Sequence, residues 1–336
     1  MSFLAIADDQ EAVCYLCLDA EPDEDDQPLR RDCACRGTDA GFVHLSCLTK
    51  YAATKSEQAS FMNQFVDLWQ ECPGCHQYYQ NEFAVDIANE FVSFVRRQYP
   101  DDTQKQVESL HLKLAALMNV FDRLQPRQKR EYGVTANVIL SLIDWMKGDV
   151  SSLPIRYSRF ELNAYNAHGR IALNEGTEES ARRAVIYFEK SLQVSEAISD
   201  DPGIATTKRN IALAKSKYEG DNTEVLKASQ ELFELRVAEF GEENDYTIDA
   251  GIDYAIFLLK ANRGGDAREL LTKLLVTSKR VLGPRHNTTK RVESELNKSF
   301  IILLSCRSSM HFVFQLCQLQ IMIFWGFNLL AIPLII

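Results

Sequence analysis

From about residue 83 onward, apolar side chains recur every three or four positions. Over 83–99 they are Phe83, Val85, Ile87, Phe91, Phe94 and Val95, close to one stripe at helical spacing. Over 104–124 they are Val107, Leu110, Leu114, Leu117, Phe121 and Leu124. Pro126 then ends that segment or begins the next. A further apolar segment, 132–147, is built around Val138, Ile139, Leu142, Ile143 and Trp145 and closes at Gly148. Helices in a row with short turns predict an all-α bundle or a solenoid.

An internal repeat chooses the solenoid. The turns Asn174-Glu175-Gly176, Tyr218-Glu219-Gly220 and Asn262-Arg263-Gly264 recur at a step of 44. Each follows a helix carrying small residues (Ala164, Ala167 and Ala172; Ala205, Ala212 and Ala214; Ala250, Ala255 and Ala261). Each precedes a second helix, predicted at Ala181–Ile198, Thr223–Phe240 and Ala267–Leu282. The segments Phe240–Thr247 and Leu282–Thr289 also match, at a step of 42. Small residues at fixed places let paired helices approach closely, and such units bury a core only by stacking. The repeat ending Leu-Gly-x-x-His-x-x-Thr resembles the kinesin-light-chain type of tetratricopeptide repeat. That resemblance implies a superhelix with a groove for a peptide or protein, and the last two units fit it best. The repeats are placed at 158–298, after a helical linker region at 83–150.

The front of the chain differs. Seven of the nine cysteines lie between Cys14 and Cys75, and nine acidic residues occur by Asp26. The run Glu21–Asp26 predicts a solvated loop. A net charge of −10 disfavours a protein built to grip nucleic-acid backbone. The opening residues have no basic region and no long apolar run, so no secretory signal is read. Outside an oxidising compartment, clustered cysteines point to metal.

The candidate ligands form four pairs: Cys14 and Cys17, Cys33 and Cys35, His44 and Cys47, Cys72 and Cys75. Zinc takes four such donors in a tetrahedron, so eight make two closed structural sites, with no place left for a catalytic water. The segment Cys33-Ala34-Cys35-Arg36-Gly37-Thr38, with Phe42-Val43-His44 and Cys47-Leu48 after it and Cys72-Pro73-Gly74-Cys75 beyond, resembles the RING-CH (RING-variant) finger of ubiquitin ligases. It is less similar to the histone-reading PHD finger, which spaces its middle ligands differently. The finger is placed at 12–80, after an acidic segment at 1–11. The resemblance implies a cross-brace: Cys14, Cys17, His44 and Cys47 on one Zn²⁺, and Cys33, Cys35, Cys72 and Cys75 on the other. The remaining core is expected from Leu16, Phe42, Val43, Leu48, Tyr51 and Trp69.

The fold class is therefore a small cross-brace zinc finger followed by all-α, tetratricopeptide-like helical repeats. A RING-type finger has no nucleophile; it positions a charged ubiquitin-conjugating enzyme. By resemblance the docking residues are Leu16, Tyr51 and Pro73, with His76 beside the last ligand. The expected partners are a ubiquitin-conjugating enzyme and a protein substrate or peptide in the repeat groove, with no nucleic acid. The alternative is a zinc-binding adaptor without ligase activity, suggested by the 24 residues between Cys47 and Cys72 and by Tyr51 where the family often has Trp. No phosphate-binding glycine loop or hydrolase elbow occurs. From Ser308 to Ile336 there is no Asp, Glu, Lys or Arg. A membrane anchor is arithmetically possible there. The repeat, however, stops mid-unit at Lys298, which fits a misread exon or retained intron better. The segment 299–336 is thus either a doubtful gene model or a tail anchor. The expected location is the cytoplasm, with membrane attachment only if this tail is genuine.

Overall fold

The computed structural model describes residues 12–33, 35, 41–149 and 153–300. The acidic segment 1–11 and the apolar tail from 301 lie outside the described residues. Twelve α-helices follow one another among those described, joined by short loops and by one 3-10 turn at Phe121–Arg123. In the finger, α1 (Leu45–Ser56) and α2 (Met62–Asp67) fill the interval between Cys47 and Cys72. Two isolated antiparallel bridges, Arg30 to Val43 and Glu71 to Tyr78, complete it.

Next come α3 (Asn81–Gln98), α4 (Thr103–Asn119) and α5 (Pro126–Asp149). Pro126 opens α5, as suits a residue without an N–H in a first turn. The apolar face of α3 is wide because two bodies share it. Phe83, Ile87, Phe91, Phe94 and Val95 pack on the finger, while Val85, Ala88 and Val92 pack with α4 and α5. Arg30 reinforces the joint, lying 5.0 Å over the Phe83 ring and 3.4 Å from Asp86.

The repeat array is α6 (Ile155–Glu175), α7 (Glu178–Ala197), α8 (Asp201–Glu219), α9 (Thr223–Phe240), α10 (Asp245–Lys260), α11 (Gly264–Val281) and α12, helical over 287–300. Each helix packs on the next in the chain, which is the logic of a stack. Buried alanines (Ala164, Ala167, Ala184, Ala214, Ala255 and Ala267) let the helices close up. The first helices of the later units lie side by side. Arg209 of α8 pairs with Asp253 of α10, and Arg291 of α12 pairs with both Asp249 and Asp253.

The turn glycines divide. Gly176 and Gly220 end α6 and α8 in the left-handed region, at φ 78° and 75°. Gly264 instead opens α11, and Asn262 takes the left-handed place at φ 60°. The reason is that α10 stops at Lys260, earlier in its unit than α6 and α8 do in theirs. The ends of the second helices repeat more strictly. Ser199, Gly241 and Gly283, spaced by 42, are all left-handed. Serine at the first of these weakens the sequence signal of that unit. Helix starts repeat too: Asn244 accepts from the N–H of Tyr246, and His286 Nδ1 from the N–H of Thr288.

Candidate metal centres and docking face

Two C-x2-C knuckles shape the finger. After each, the chain turns back: Leu18 N–H donates to Cys14 O and His76 N–H to Cys72 O, both at 2.8 Å. The two closing residues adopt left-handed backbone, at φ 65° and 55°. Each knuckle thereby presents two sulfurs on one side. The loops bring the pairs together alternately. Cys14, Cys17, His44 and Cys47 form one quartet and Cys33, Cys35, Cys72 and Cys75 the other, with donor atoms in each within 4.8 Å of one another. This is the interleaved arrangement that the resemblance implied.

The donor chemistry fits zinc. In a tetrahedral zinc site with bonds of about 2.3 Å, two sulfurs lie about 3.8 Å apart, and Cys35 and Cys72 Sγ stand 3.6 Å apart. His44 Nε2 lies 2.8 Å from the carbonyl of Glu21. A carbonyl only accepts, so Nε2 carries the proton, and Nδ1 offers its lone pair toward Cys17 and Cys47, at 3.4 and 3.7 Å. Gly41, at φ 84°, has no room for a side chain. A Cβ there would come within 2.8 Å of Cys35 Cβ and 3.0 Å of Cys33 Sγ.

The thiols also behave as crowded donors. A hydrogen bond with Cys33 holds Cys72 down to about 4, helped by the N–H groups of Gly74 and Cys75. Its partner Cys33 is pushed far up, first by that same bond and then by burial. Burial likewise raises Cys35 to about 11, with a Cys33 hydrogen bond pulling it back and Cys72 adding to it, and raises Cys47 to about 12, with Cys17 and Cys14 adding to it. Burial would raise Cys14 too, but N–H donors of Cys17, His44 and Leu16 outweigh it and bring it to about 7. Cys14 and Cys72 are thus lowered while Cys33, Cys35 and Cys47 are raised; a divalent cation removes that conflict.

The rest of the finger is held by a small apolar core. Val43, Leu48 and Trp69 are buried in it, as expected, while Leu16, Phe42 and Tyr51 are half-buried. Phe65 and Trp69 from the long insertion reach α3, where Trp69 stacks on Phe91 at 5.0 Å and Phe65 meets the same ring at 5.4 Å. Trp69 Nε1 donates to Ser56 Oγ at 2.9 Å. The 24-residue interval is thus a helical buttress between knuckles and array.

Of the expected docking residues, Leu16 and Tyr51 pack against the finger core. Pro73 lines a cleft with Tyr15, Gly74 and Gln77. Sequence reasoning passed over three residues. Glu21 acts through its carbonyl on His44. Asp23, half-buried, accepts from Ser46 Oγ at 2.6 Å and ties the acidic loop to α1. Leu18 is 76% exposed beside Cys17; an apolar residue directly after a knuckle was the available signal.

Residues 14–75 match the RING-variant domain family. They are a RING-variant domain with two structural zinc sites. The helical part is similar to solved structures of tetratricopeptide-like arrays. Kinesin-light-chain TPR-like repeats of Podosopora anserina align at 13% identity and TM-score 0.36, over 70% of this chain and 95% of that one. BtubC (BKLC) from P. vanneervenii aligns at 12% identity and TM-score 0.44, over 67% and 92%. No curated protein matches the chain. Among the described residues no helix is long and apolar enough to cross a membrane.

Proposed function

We propose that this chain is a RING-type ubiquitin-protein ligase: its finger docks a charged ubiquitin-conjugating enzyme and its repeat array recruits a protein substrate. The observation that carries this reading is the RING-variant domain with both zinc quartets assembled. In the proposed mechanism Cys14, Cys17, His44 and Cys47 hold one Zn²⁺ and Cys33, Cys35, Cys72 and Cys75 the other. These ions supply rigidity only. Leu16, Tyr51 and Pro73 form the docking face, and Leu18 extends it with exposed apolar surface. Catalysis is positioning: the finger orients the thioester for attack by a substrate lysine. The substrate would lie along the first helices of the units, α6, α8, α10 and α12. The proposed setting is the cytoplasm.

The test is single-turnover discharge of ubiquitin from a panel of charged conjugating enzymes. The wild type should accelerate discharge with at least one of them. Pro73→Ala should abolish the acceleration while two zinc ions per chain remain. A wild-type chain inert with the whole panel would favour a zinc-binding adaptor without ligase activity, a reading to which the long Cys47–Cys72 interval and Tyr51 lend weight.

A further inference from the structure

The end of α11 and the loop after it meet the finger. Val281 and Leu282, at the end of α11, line the same cleft as Tyr15, Pro73 and Gln77 of the finger. Just beyond them, the exposed Arg285 donates through Nη2 to the carbonyl of Cys35 at 3.4 Å, joining residues 250 apart in sequence. The finger is anchored firmly elsewhere, on α3 and through Arg156 of α6, which donates to Asn63 of α2 at 3.0 Å. The contact at Cys35 is light by comparison.

Size decides what this contact does. The cleft encloses about 690 Å³, the scale of a small-molecule pocket. A folded protein partner needs several hundred Å² of open face on each side, even for a weak complex. With Val281 and Leu282 sharing the cleft with Pro73, the finger does not offer such a face there. The array is also the kind of structure that can move. Each unit touches only its neighbours, so small rotations between units add up at the end.

We propose that the repeat array autoinhibits the finger: the end of α11 and Arg285 close over Pro73, and a conjugating enzyme gains access when the array opens. This rests on the ligase reading above. The leverage is favourable, because among the described residues the Arg285 hydrogen bond, exposed and 3.4 Å long, and two apolar side chains are easily released.

The test uses the full chain in the same single-turnover discharge assay. The Cys35 carbonyl also accepts from Arg31 at 2.7 Å, so an acid at 285 would meet a guanidinium, and Arg285→Ala, which only removes the donor, is the probe. Its discharge rate should rise, by at most about fivefold, the factor that one net hydrogen bond is worth, with two zinc ions retained. Arg285→Lys should keep the wild-type rate. Discharge by the wild type that Arg285→Ala leaves unchanged or slows would overturn the clasp and leave the ligase reading standing. No discharge by the wild type or by Arg285→Ala would overturn both.

Discussion

The finger and the repeat array solve the same problem by opposite means. The finger has few large apolar side chains and is organised by eight donor atoms in two quartets. Among the described residues the array has no such quartet, and it is organised by side-chain volume: alanines at closely packed places and single aromatic rings between helices. In the first, the information lies in the spacing of ligands, and loops of any length can join them. In the second, it lies in the size of each buried residue, and surface charge is free to vary. Each region should therefore fail under treatments that the other survives.

Removing zinc is the largest of these. Structural zinc in small domains contributes on the order of 10 kcal/mol, as much as the whole burial of Val43, Leu48, Phe65 and Trp69 at about 1.5–3 kcal/mol each. Chelation should unfold the knuckles and leave most helical circular dichroism in place. Because Trp69 stacks on Phe91, the finger-facing side of α3 should lose hydrogen-exchange protection while α6–α11 keep theirs. Uniform loss of helix on chelation would erase the distinction between the two regions.

The joint between them carries a buried charge. Glu108 of α4 is 2% exposed and pairs with Arg156 at 2.7 Å. Burial raises its carboxyl to about 7, although the Arg156 charge pulls it back. A raised acid favours the folded state at low pH, and that contribution is lost as pH rises from the usual 4.5 toward 7. Neighbouring His111 has the opposite sign. Burial, then Arg156, lowers it to about 3, so its contribution is lost as pH falls below 6.5. Between pH 4.5 and 6.5 the two slopes oppose each other. Glu108→Gln removes the first, a swing on the order of 3 kcal/mol. Relative to wild type, the variant should gain stability in urea titrations on going from pH 5 to pH 8. A difference between the two proteins that does not change with pH would show that Glu108 does not titrate in this range.

How much of this was legible in the sequence follows the same division. The zinc quartets were legible because metal chemistry constrains residue types at short range. The repeats were legible wherever glycine marks a left-handed turn, as at Gly176, Gly220, Gly241 and Gly283. They faded at Ser199, which takes that conformation without a glycine to announce it. The buttress of α1 and α2 was not legible, because Phe65 and Trp69 acquire meaning only against α3. Neither was the role of Glu21, which works through a backbone carbonyl that every residue possesses.

Within the array, volume and backbone conformation can be separated at two glycines of one helix. Gly169 has ordinary backbone, but a Cβ there would lie 2.3 Å from Phe188 Cε1, on a ring that is itself buried. Gly176 has open space around it but a left-handed backbone. Gly169→Ala should cost about 1–3 kcal/mol by overpacking, and Gly176→Ala about 1 kcal/mol by backbone strain. Thermal unfolding of the two variants ranks them. A milder loss at Gly169 would mean that the α6–α7 contact yields easily.

The smallest effect on stability is the sharpest on the finger. In the array the left-handed places go to glycine, or to Ser199 and Asn262, which are small and polar. The finger uses Gly41 and Asp26 in the same way, but after each knuckle it puts Leu18 and His76 there. For leucine this costs roughly 1 kcal/mol, and Leu18 recovers nothing by burial, being 76% exposed. Strain held at an exposed apolar residue is characteristic of surfaces that bind. Leu18→Asn suits the same backbone, because asparagine tolerates the left-handed region. The variant should hold its zinc against a chelator at least as well as wild type. Under the docking reading it should nevertheless discharge ubiquitin more slowly, since the apolar contact is gone. Unchanged discharge together with firmer zinc binding would remove Leu18 from the docking face and leave its strain without a functional account.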